Sequence, residues 1–430
     1  MIDAAAHLTS ETAAFGAAGL TRIARNMQGS LILGIAGEVR QLIAEGRVVT
    51  NLTVGDFDAK QFPIPTELRD ATVRGYDSAQ TNYPPPEGIA ELRNAVCAWY
   101  ARELGLRFTP DWVVVASGAR PVMYATYRLF LEPGDTLVFA VPSWNNGYYA
   151  QLTDAKVVTL ATRAEDDFFP TVEQLEPHLA EARLFCLNSP LNPTGTVIKP
   201  ERLAAIARAI VTENERRRPL GLRPLFWMFD QVYWRLTFGG VPHAHPIALV
   251  PEVAPYVITV DAISKAFAAT GLRVGWAVLP PVLAERMKSL IGHIGAWAPR
   301  PEQAGTAAFL HDAEALRGFE AELATAITTR LGILHRGLTA LGVTHLVPQG
   351  AIYLSVRFET LFGRPGHEGK IMETNEDIRK FLLHEAGVAV VPFQAFDMDA
   401  HDGWFRMSIG AASPEALEGA VSRLAKVLGR

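Results

Sequence analysis

The sequence predicts an α/β protein: a mostly parallel, doubly wound central sheet in a large domain, with a smaller α+β domain assembled from both chain ends. Two observations carry this expectation. Between about residue 113 and residue 279, short β-rich runs alternate with longer helical or irregular stretches; outside that block long amphipathic helices dominate, with few strands. Length adds a third: 430 residues, at roughly 150 per domain, give an expectation of two to three domains. The expected division is 1–62 and 307–430 for the smaller domain and 63–306 for the larger.

Taken in order, the chain opens with an amphipathic helix over Leu31–Glu45. The strand series follows as Val113–Ser117, Thr136–Val141, Lys156–Leu160, Arg183–Asn188, Leu225–Asp230, Tyr256–Ala262 and Arg273–Leu279. Runs such as Val-Val-Val-Ala and Leu-Phe-Trp-Met-Phe are continuously apolar, which suits strands covered on both faces by crossover helices. Among the crossovers, Arg120–Leu131 carries an apolar stripe at Val122, Tyr124, Tyr127 and Leu129–Phe130. Glu201–Glu215 is opened by Pro200, where a missing N–H is tolerated. Beyond Ala307 come the helices Glu314–Leu341, Asn375–Ala386 and Pro414–Leu428 and the strands Ile352–Phe358 and Trp404–Ile409. There is no internal repeat, and the clusters Pro84-Pro85-Pro86 and Gly363-Arg364-Pro365-Gly366 are isolated loops, so no appended module is expected.

Composition narrows the function. Apolar residues at 49% and charged residues at 20% suit a soluble globular chain and exclude disorder as a theme. Forty basic residues against 45 acidic ones, a net charge of −5, lack the basic field that nucleic acid or an anionic membrane requires. Neither partner is expected. No apolar run approaches the roughly 18 residues that span a bilayer. The start lacks a positive segment followed by an apolar one, and two cysteines, Cys97 and Cys186, make no disulfide framework. A cytoplasmic, reducing setting is expected. His243-Ala244-His245 is the one close histidine pair and has no third ligand nearby, so no metal site is expected.

In open α/β sheets ligands collect beyond the carboxyl ends of the strands. Four such ends carry polar residues. Ser117-Gly118-Ala119-Arg120 follows the first strand and opens a helix, where free N–H groups and the helix dipole can hold a phosphate. Asn188-Ser189-Pro190-Leu191-Asn192-Pro193-Thr194-Gly195 follows the fourth. Asp230, with Tyr233 three residues on, ends the fifth; Ser264-Lys265 ends the sixth, and Arg273 lies eight residues further.

These motifs, in this order and spacing, resemble the aspartate aminotransferase family, the class I and II aminotransferases of pyridoxal phosphate fold type I. The resemblance runs through nearly the whole chain and includes Gly55 in Leu-Thr-Val-Gly-Asp, Tyr83 with Gly88 and Leu92-Arg93, Pro142-Ser143-Trp144, Ser-Lys-Ala-Phe-Ala-Ala-Thr-Gly-Leu-Arg-Val-Gly around Lys265, and Arg406 in Phe-Arg-Met-Ser. It implies pyridoxal 5'-phosphate as cofactor and transfer of an amino group from an L-amino acid to a 2-oxo acid such as 2-oxoglutarate by a ping-pong cycle. The chemistry explains the residue types. A strand-end lysine can bond to the cofactor aldehyde; once an incoming amino acid displaces it, its amine can carry the Cα proton, which is the role of Lys265. A buried carboxylate beside the pyridine nitrogen keeps it protonated, and Asp230 is the candidate. Asn192 and Tyr233 would bond the phenolic oxygen, and Trp144 would stack on the ring. Ser264, Arg273, Ser117 and the N–H groups at Gly118-Ala119 would share the phosphate. By resemblance Tyr83 reaches the phosphate of a neighbouring subunit, implying a homodimer with shared sites. Arg406, with Gly55 and Asn192, would fork the substrate α-carboxylate.

The sequence departs from the family pattern at one expected phosphate ligand, Ala262, and at two places near the substrate mouth. Ala262 stands where many members carry a hydroxyl, Asp56-Phe57 follows Gly55 where Glu-Pro is common, and Pro392-Phe393-Gln394-Ala395-Phe396-Asp397 replaces a glycine-rich turn. Arg120 and Arg300 are candidates to read a distal carboxylate, which favours aspartate or glutamate; Phe57, Trp297 and Phe393 leave aromatic donors open. A lyase or decarboxylase on the same scaffold is the enzymatic alternative, and a non-catalytic sensor the other.

Overall fold

The structure is a computed structural model that describes residues 4–27 and 29–430. Its strands are β1 (Thr50–Asn51), β2 (Val113–Ala116), β3 (Thr136–Val141), β4 (Lys156–Ala161), β5 (Ala182–Asn188), β6 (Phe226–Asp230), β7 (Val257–Ala262), β8 (Gly275–Val278), β9 (Thr344–His345), β10 (Tyr353–Arg357), β11 (Val388–Ala389), β12 (Val391–Pro392) and β13 (Trp404–Ser408). Seven form the central sheet in the order β2-β8-β7-β6-β5-β3-β4. Strands β3 to β7 run parallel, while β8 is antiparallel to both β2 and β7. Those two reversals leave β2 parallel to the others. The carboxyl ends of β2, β3, β5, β6 and β7 therefore share one edge of the sheet, and the amino end of β8 meets them there.

Strands β2, β3, β7 and β8 are buried along their whole length, as their mostly apolar runs lead one to expect, with Thr259 and Asp261 of β7 the polar exceptions inside. The strand β4 differs. With β3 as its single neighbour it lies at the sheet edge, and Lys156, Val157, Thr159 and Ala161 are exposed. The strand expected to begin at Arg273 begins at Gly275, because Arg273 takes a left-handed φ of 55° that a strand cannot continue. Helix Ala119–Phe130 packs Val122, Met123, Ala125, Tyr127 and Phe130 onto the sheet, and helix Pro200–Arg217 carries its proline in the first turn as expected.

A second, four-stranded antiparallel sheet has the order β12-β13-β10-β9, and β1 pairs in parallel with β11. That pair joins the chain ends: Thr50 N–H donates to the Gly387 carbonyl at 2.8 Å and Leu52 N–H to that of Ala389 at 2.9 Å. One core then packs Leu52, Phe57 and Phe62 with Ile327, Leu331 and Leu334 of helix Ala313–Ala340 and with Leu417 and Leu424 of helix Pro414–Leu428. Tyr233, Leu236 and Phe238, from beyond the end of β6, lie in the same core. Burying each such side chain contributes about 1.5–3 kcal/mol. The second sheet is thereby clamped over the carboxyl edge of the first.

Candidate active site

Strand β7 ends in a single helical turn, Ile263–Ala266, which delivers Ser264 and Lys265 to the carboxyl edge. The Lys265 amine donates to the Gly55 carbonyl and lies 5.9 Å from the Phe57 ring centre and 6.0 Å from that of Tyr233. Burial pushes its pKa down to about 8; the Asp56 carboxylate opposes the shift, and the guanidinium groups of Arg406, Arg120 and Arg273 add to it. A useful fraction of the amine is therefore neutral, and nucleophilic, in mildly alkaline solution.

Strands β5 and β6 pair Asn188 with Asp230, so both sit in one row at the same edge. Val232 N–H donates to Asp230 Oδ1 at 3.0 Å, and the other carboxylate oxygen has no hydrogen bond among the described residues. Burial raises this carboxyl to about 6. It lacks a cation. The Tyr233 hydroxyl stands 2.6 Å from that of Tyr353, the first residue of β10.

Strand β13 pairs with β10 and places Arg406 opposite Ser355, 1% exposed. Arg406 Nη1 donates to Asn192 Oδ1 at 3.0 Å and Nη2 to the Thr53 carbonyl at 2.6 Å, while Nε is buried without a partner. Its guanidinium lies 4.7 Å from the ring centre of Tyr353 and 5.1 Å from that of Phe396. Gly55 is required by close approach: a Cβ there would stand 2.9 Å from the Tyr353 hydroxyl and 3.7 Å from Arg406 Nη1.

The third corner is the turn after β2. Gly118 caps helix Ala119–Phe130 with φ 90°, and a Cβ on it would come within 2.3 Å of Arg273 Nη2. Arg273 donates through Nη1 to the Thr270 carbonyl at 2.7 Å and through Nη2 to that of Ser117 at 3.2 Å. Free helix N–H groups and a guanidinium thus face one small space, a ready anion cradle. Beyond β3, Trp144 lies under the Arg120 guanidinium at 4.7 Å from its ring centre.

The structure brings Lys265, Gly55, Tyr233, Asn192 and Arg406 together through these contacts. Asp230 stands in the row beside them, and Ser117, Gly118, Ala119 and Arg273 form the adjoining cradle. Tyr83 and Arg300 stand elsewhere. Tyr83 is 81% exposed with its ring 5.0 Å from that of Trp297, and Arg300 donates to Asn82 Oδ1 at 2.7 Å; no contact among the described residues links either to Lys265. His243 bonds Gln231 Oε1 at 3.2 Å and His245 bonds Thr259 Oγ1 at 3.0 Å, so both are committed to the interior, and no group of three metal donors occurs among the described residues.

Two buried polar residues close to the site in sequence or space escaped the sequence reading. Tyr353 is one. Asp261, fully buried four residues before Lys265, is the other: it accepts hydrogen bonds from Tyr100 Oη and Trp234 Nε1, each at 2.8 Å, and from Ala262 N–H at 2.7 Å. An aromatic residue opening a strand and an acid inside an apolar run are the signals that mark them.

An edge of strand ends holding a partly neutral lysine, an unpaired buried carboxylate, an anion cradle and an incompletely bonded arginine defines a site for a phosphorylated, cationic-ring cofactor and a carboxylate substrate. The sequence matches the aminotransferase class I and II family over residues 47–424, and the chain belongs to that family, the pyridoxal phosphate-dependent transaminases. It is 31% identical over 419 residues to the aspartate/prephenate aminotransferase of Thermus thermophilus, covering 96% of this chain and 99% of that protein, and 31% identical over 402 residues to that of Cereibacter sphaeroides, covering 92% and 95%. The solved aspartate aminotransferase of Thermus thermophilus with maleate superposes with a TM-score of 0.85 at 30% identity, over 95% of this chain and 99% of that one. The aspartate aminotransferase from Rhizobium meliloti gives 0.86 at 27%, over 96% and 99%. The unpaired oxygen of Asp230 and the cradle at Gly118 fit the ring nitrogen and phosphate of pyridoxal phosphate. When bound, that cofactor supplies an aldehyde and an electron-withdrawing ring.

Proposed function

We propose that the enzyme transfers the amino group of a dicarboxylic L-amino acid, aspartate or glutamate, to a 2-oxo acid such as 2-oxoglutarate. The observation that carries this choice is the Arg120 guanidinium, stacked on Trp144 and close enough to Lys265 to depress its pKa. A charged donor at that wall suits a distal carboxylate, which the exposed guanidinium can meet with a charge-assisted, bidentate hydrogen bond. The names of the Thermus and Cereibacter relatives support the same choice.

In this reading Arg406 grips the α-carboxylate through its partnerless Nε and the Nη groups now spent on Asn192 and Thr53, with Gly55 and Asn192 beside it. Lys265 would hold the cofactor aldehyde and, once freed, would carry the Cα proton. Asp230 holds the ring nitrogen protonated, Tyr233 and Asn192 bond the phenolic oxygen, and Trp144 covers the ring. Ser117, Gly118, Ala119, Ser264 and Arg273 hold the phosphate. Exposure of Tyr83, whose ring stands against that of the half-buried Trp297, supports a homodimer in which Tyr83 completes the partner's phosphate site, to be read as dimer mass in sedimentation. The domains are proposed as 1–62 with 307–430 around 63–306, the crossing lying along helix Arg300–His311. No helix among the described residues is long and apolar enough to cross a membrane. Free Cys97 and Cys186 support a cytoplasmic setting, which cell fractionation checks.

Arg120→Ala and Arg300→Ala, assayed on aspartate and phenylalanine, test the substrate reading. Loss of the anchoring arginine is expected to lower kcat/KM for aspartate by roughly ten- to a hundredfold and spare phenylalanine, the scale of a charged hydrogen bond. Small, equal effects on both substrates in both variants point instead to aromatic donors held by Phe57.

A further inference from the structure

Tyr353 touches three parts of the site at once. Its hydroxyl is 2.6 Å from that of Tyr233, its ring carries the Arg406 guanidinium at 4.7 Å, and its hydroxyl fills the space that a Gly55 side chain would take. It is 1% exposed, so the hydroxyl is shielded from bulk solvent. The two tyrosines come from different sheets: Tyr233 follows β6, and Tyr353 opens β10. Their rings meet edge to face at 5.6 Å.

A phenolic hydroxyl has one proton to donate and can accept in return. In the Tyr233–Tyr353 pair, one of the two donates and the other is left with a free proton. If Tyr233 donates to the cofactor's phenolic oxygen, its own oxygen becomes the acceptor, and Tyr353 is the hydroxyl within reach to fill it. Hydrogen bonds in such a chain strengthen one another. We infer that Tyr353 is a positioning residue that donates to Tyr233 and so commits the Tyr233 proton to the cofactor's phenolic oxygen, tuning the cofactor from the same ring that supports the carboxylate-binding Arg406. The inference rests on the proposed place of Tyr233.

A donor to the ionised phenolic oxygen stabilises the cofactor form that has lost its shared proton, which keeps the pH midpoint of the visible absorption change low. Tyr353→Phe keeps the ring and removes the donor. In the cofactor-loaded enzyme the midpoint is expected to rise by about 0.3–1 pH unit, the scale of one net hydrogen bond. The amino acid KM should stay within about twofold, because the ring under Arg406 remains.

The deciding comparison is the same titration in Tyr233→Phe and in the double variant, which removes both hydroxyls and leaves neither unpaired. Tyr233→Phe is expected to raise the midpoint more than Tyr353→Phe, and adding Tyr353→Phe to it should then change nothing. If Tyr233→Phe shifts the midpoint but Tyr353→Phe does not, or shifts it equally with and without Tyr233, the inference is overturned while the place of Tyr233 stands. If Tyr233→Phe leaves the midpoint unmoved, the place of Tyr233 falls and takes the inference with it.

Discussion

Lys265→Ala is expected to abolish the yellow colour of the purified enzyme and at least about a thousandfold of its turnover, because one group serves as both covalent tether and proton carrier. The position leaves little room for substitution by a neighbour. Among the described residues, Lys265 is the amine that reaches Gly55 and lies between the rings of Phe57 and Tyr233. Its pKa near 8 predicts the accompanying pH dependence: recombination of cofactor with cofactor-free protein should accelerate as pH rises towards that value and level off above it. Absorbance spectra and single-turnover rates measure both. Wild-type turnover in Lys265→Ala removes the lysine from the chemistry.

Asp230→Asn should separate stability from catalysis. The cofactor-free carboxyl has a pKa of about 6 against an ordinary 3.8, so the folded state holds its proton more tightly than the unfolded state does. Below the ordinary value both states are protonated and the charge costs nothing. Between the two values the cost grows, and above about pH 6 it is complete. The amide keeps an acceptor for Val232 N–H without that charge, so cofactor-free Asp230→Asn is expected to be about 2–3 kcal/mol more stable than the parent at pH 8 and no more stable at pH 3.5. Denaturant titrations at both pH values test this. The cofactor should still bind through the cradle of Gly118 and Arg273, while transamination falls by roughly a hundred- to a thousandfold, as when a preorganised charge partner is lost. A variant that is less stable at pH 8 and nearly as active makes Asp230 a simple cap on the loop after β6.

The strands of the central sheet were legible because each is a short, local, largely apolar and β-branched run, and the site residues stand within a few positions of a strand end. Lys265, Asp230, Asn192 and the Gly118 turn could be found by reading along the chain. Tyr353 could not, since its meeting with Tyr233 depends on how β10 approaches the end of β6 across 120 residues of sequence. The same holds for Asp261, whose partners Tyr100 and Trp234 lie far apart in the chain, and for the bond of Arg406 to the Thr53 carbonyl, which spans 353 residues, although Arg406 itself was named through the family resemblance. The exposed face of β4 was hidden for another reason: whether a strand is central or at the edge is a property of the sheet order, not of the run itself. Tyr83 and Arg300 meet no part of the Lys265 group within one chain, and the role proposed for Tyr83 depends on a second copy.

In the proposed reaction, amino transfer at Lys265 runs between a dicarboxylic amino acid and a 2-oxo acid. Nitrogen-15 aspartate incubated with 2-oxoglutarate and the cofactor-loaded enzyme tests it most directly, by mass spectrometry of all nitrogen-bearing products. The label should pass to glutamate, one for each oxaloacetate formed, with none released as ammonia and no alanine from decarboxylation. Label collecting in ammonia or in alanine, or remaining in aspartate, contradicts this transfer.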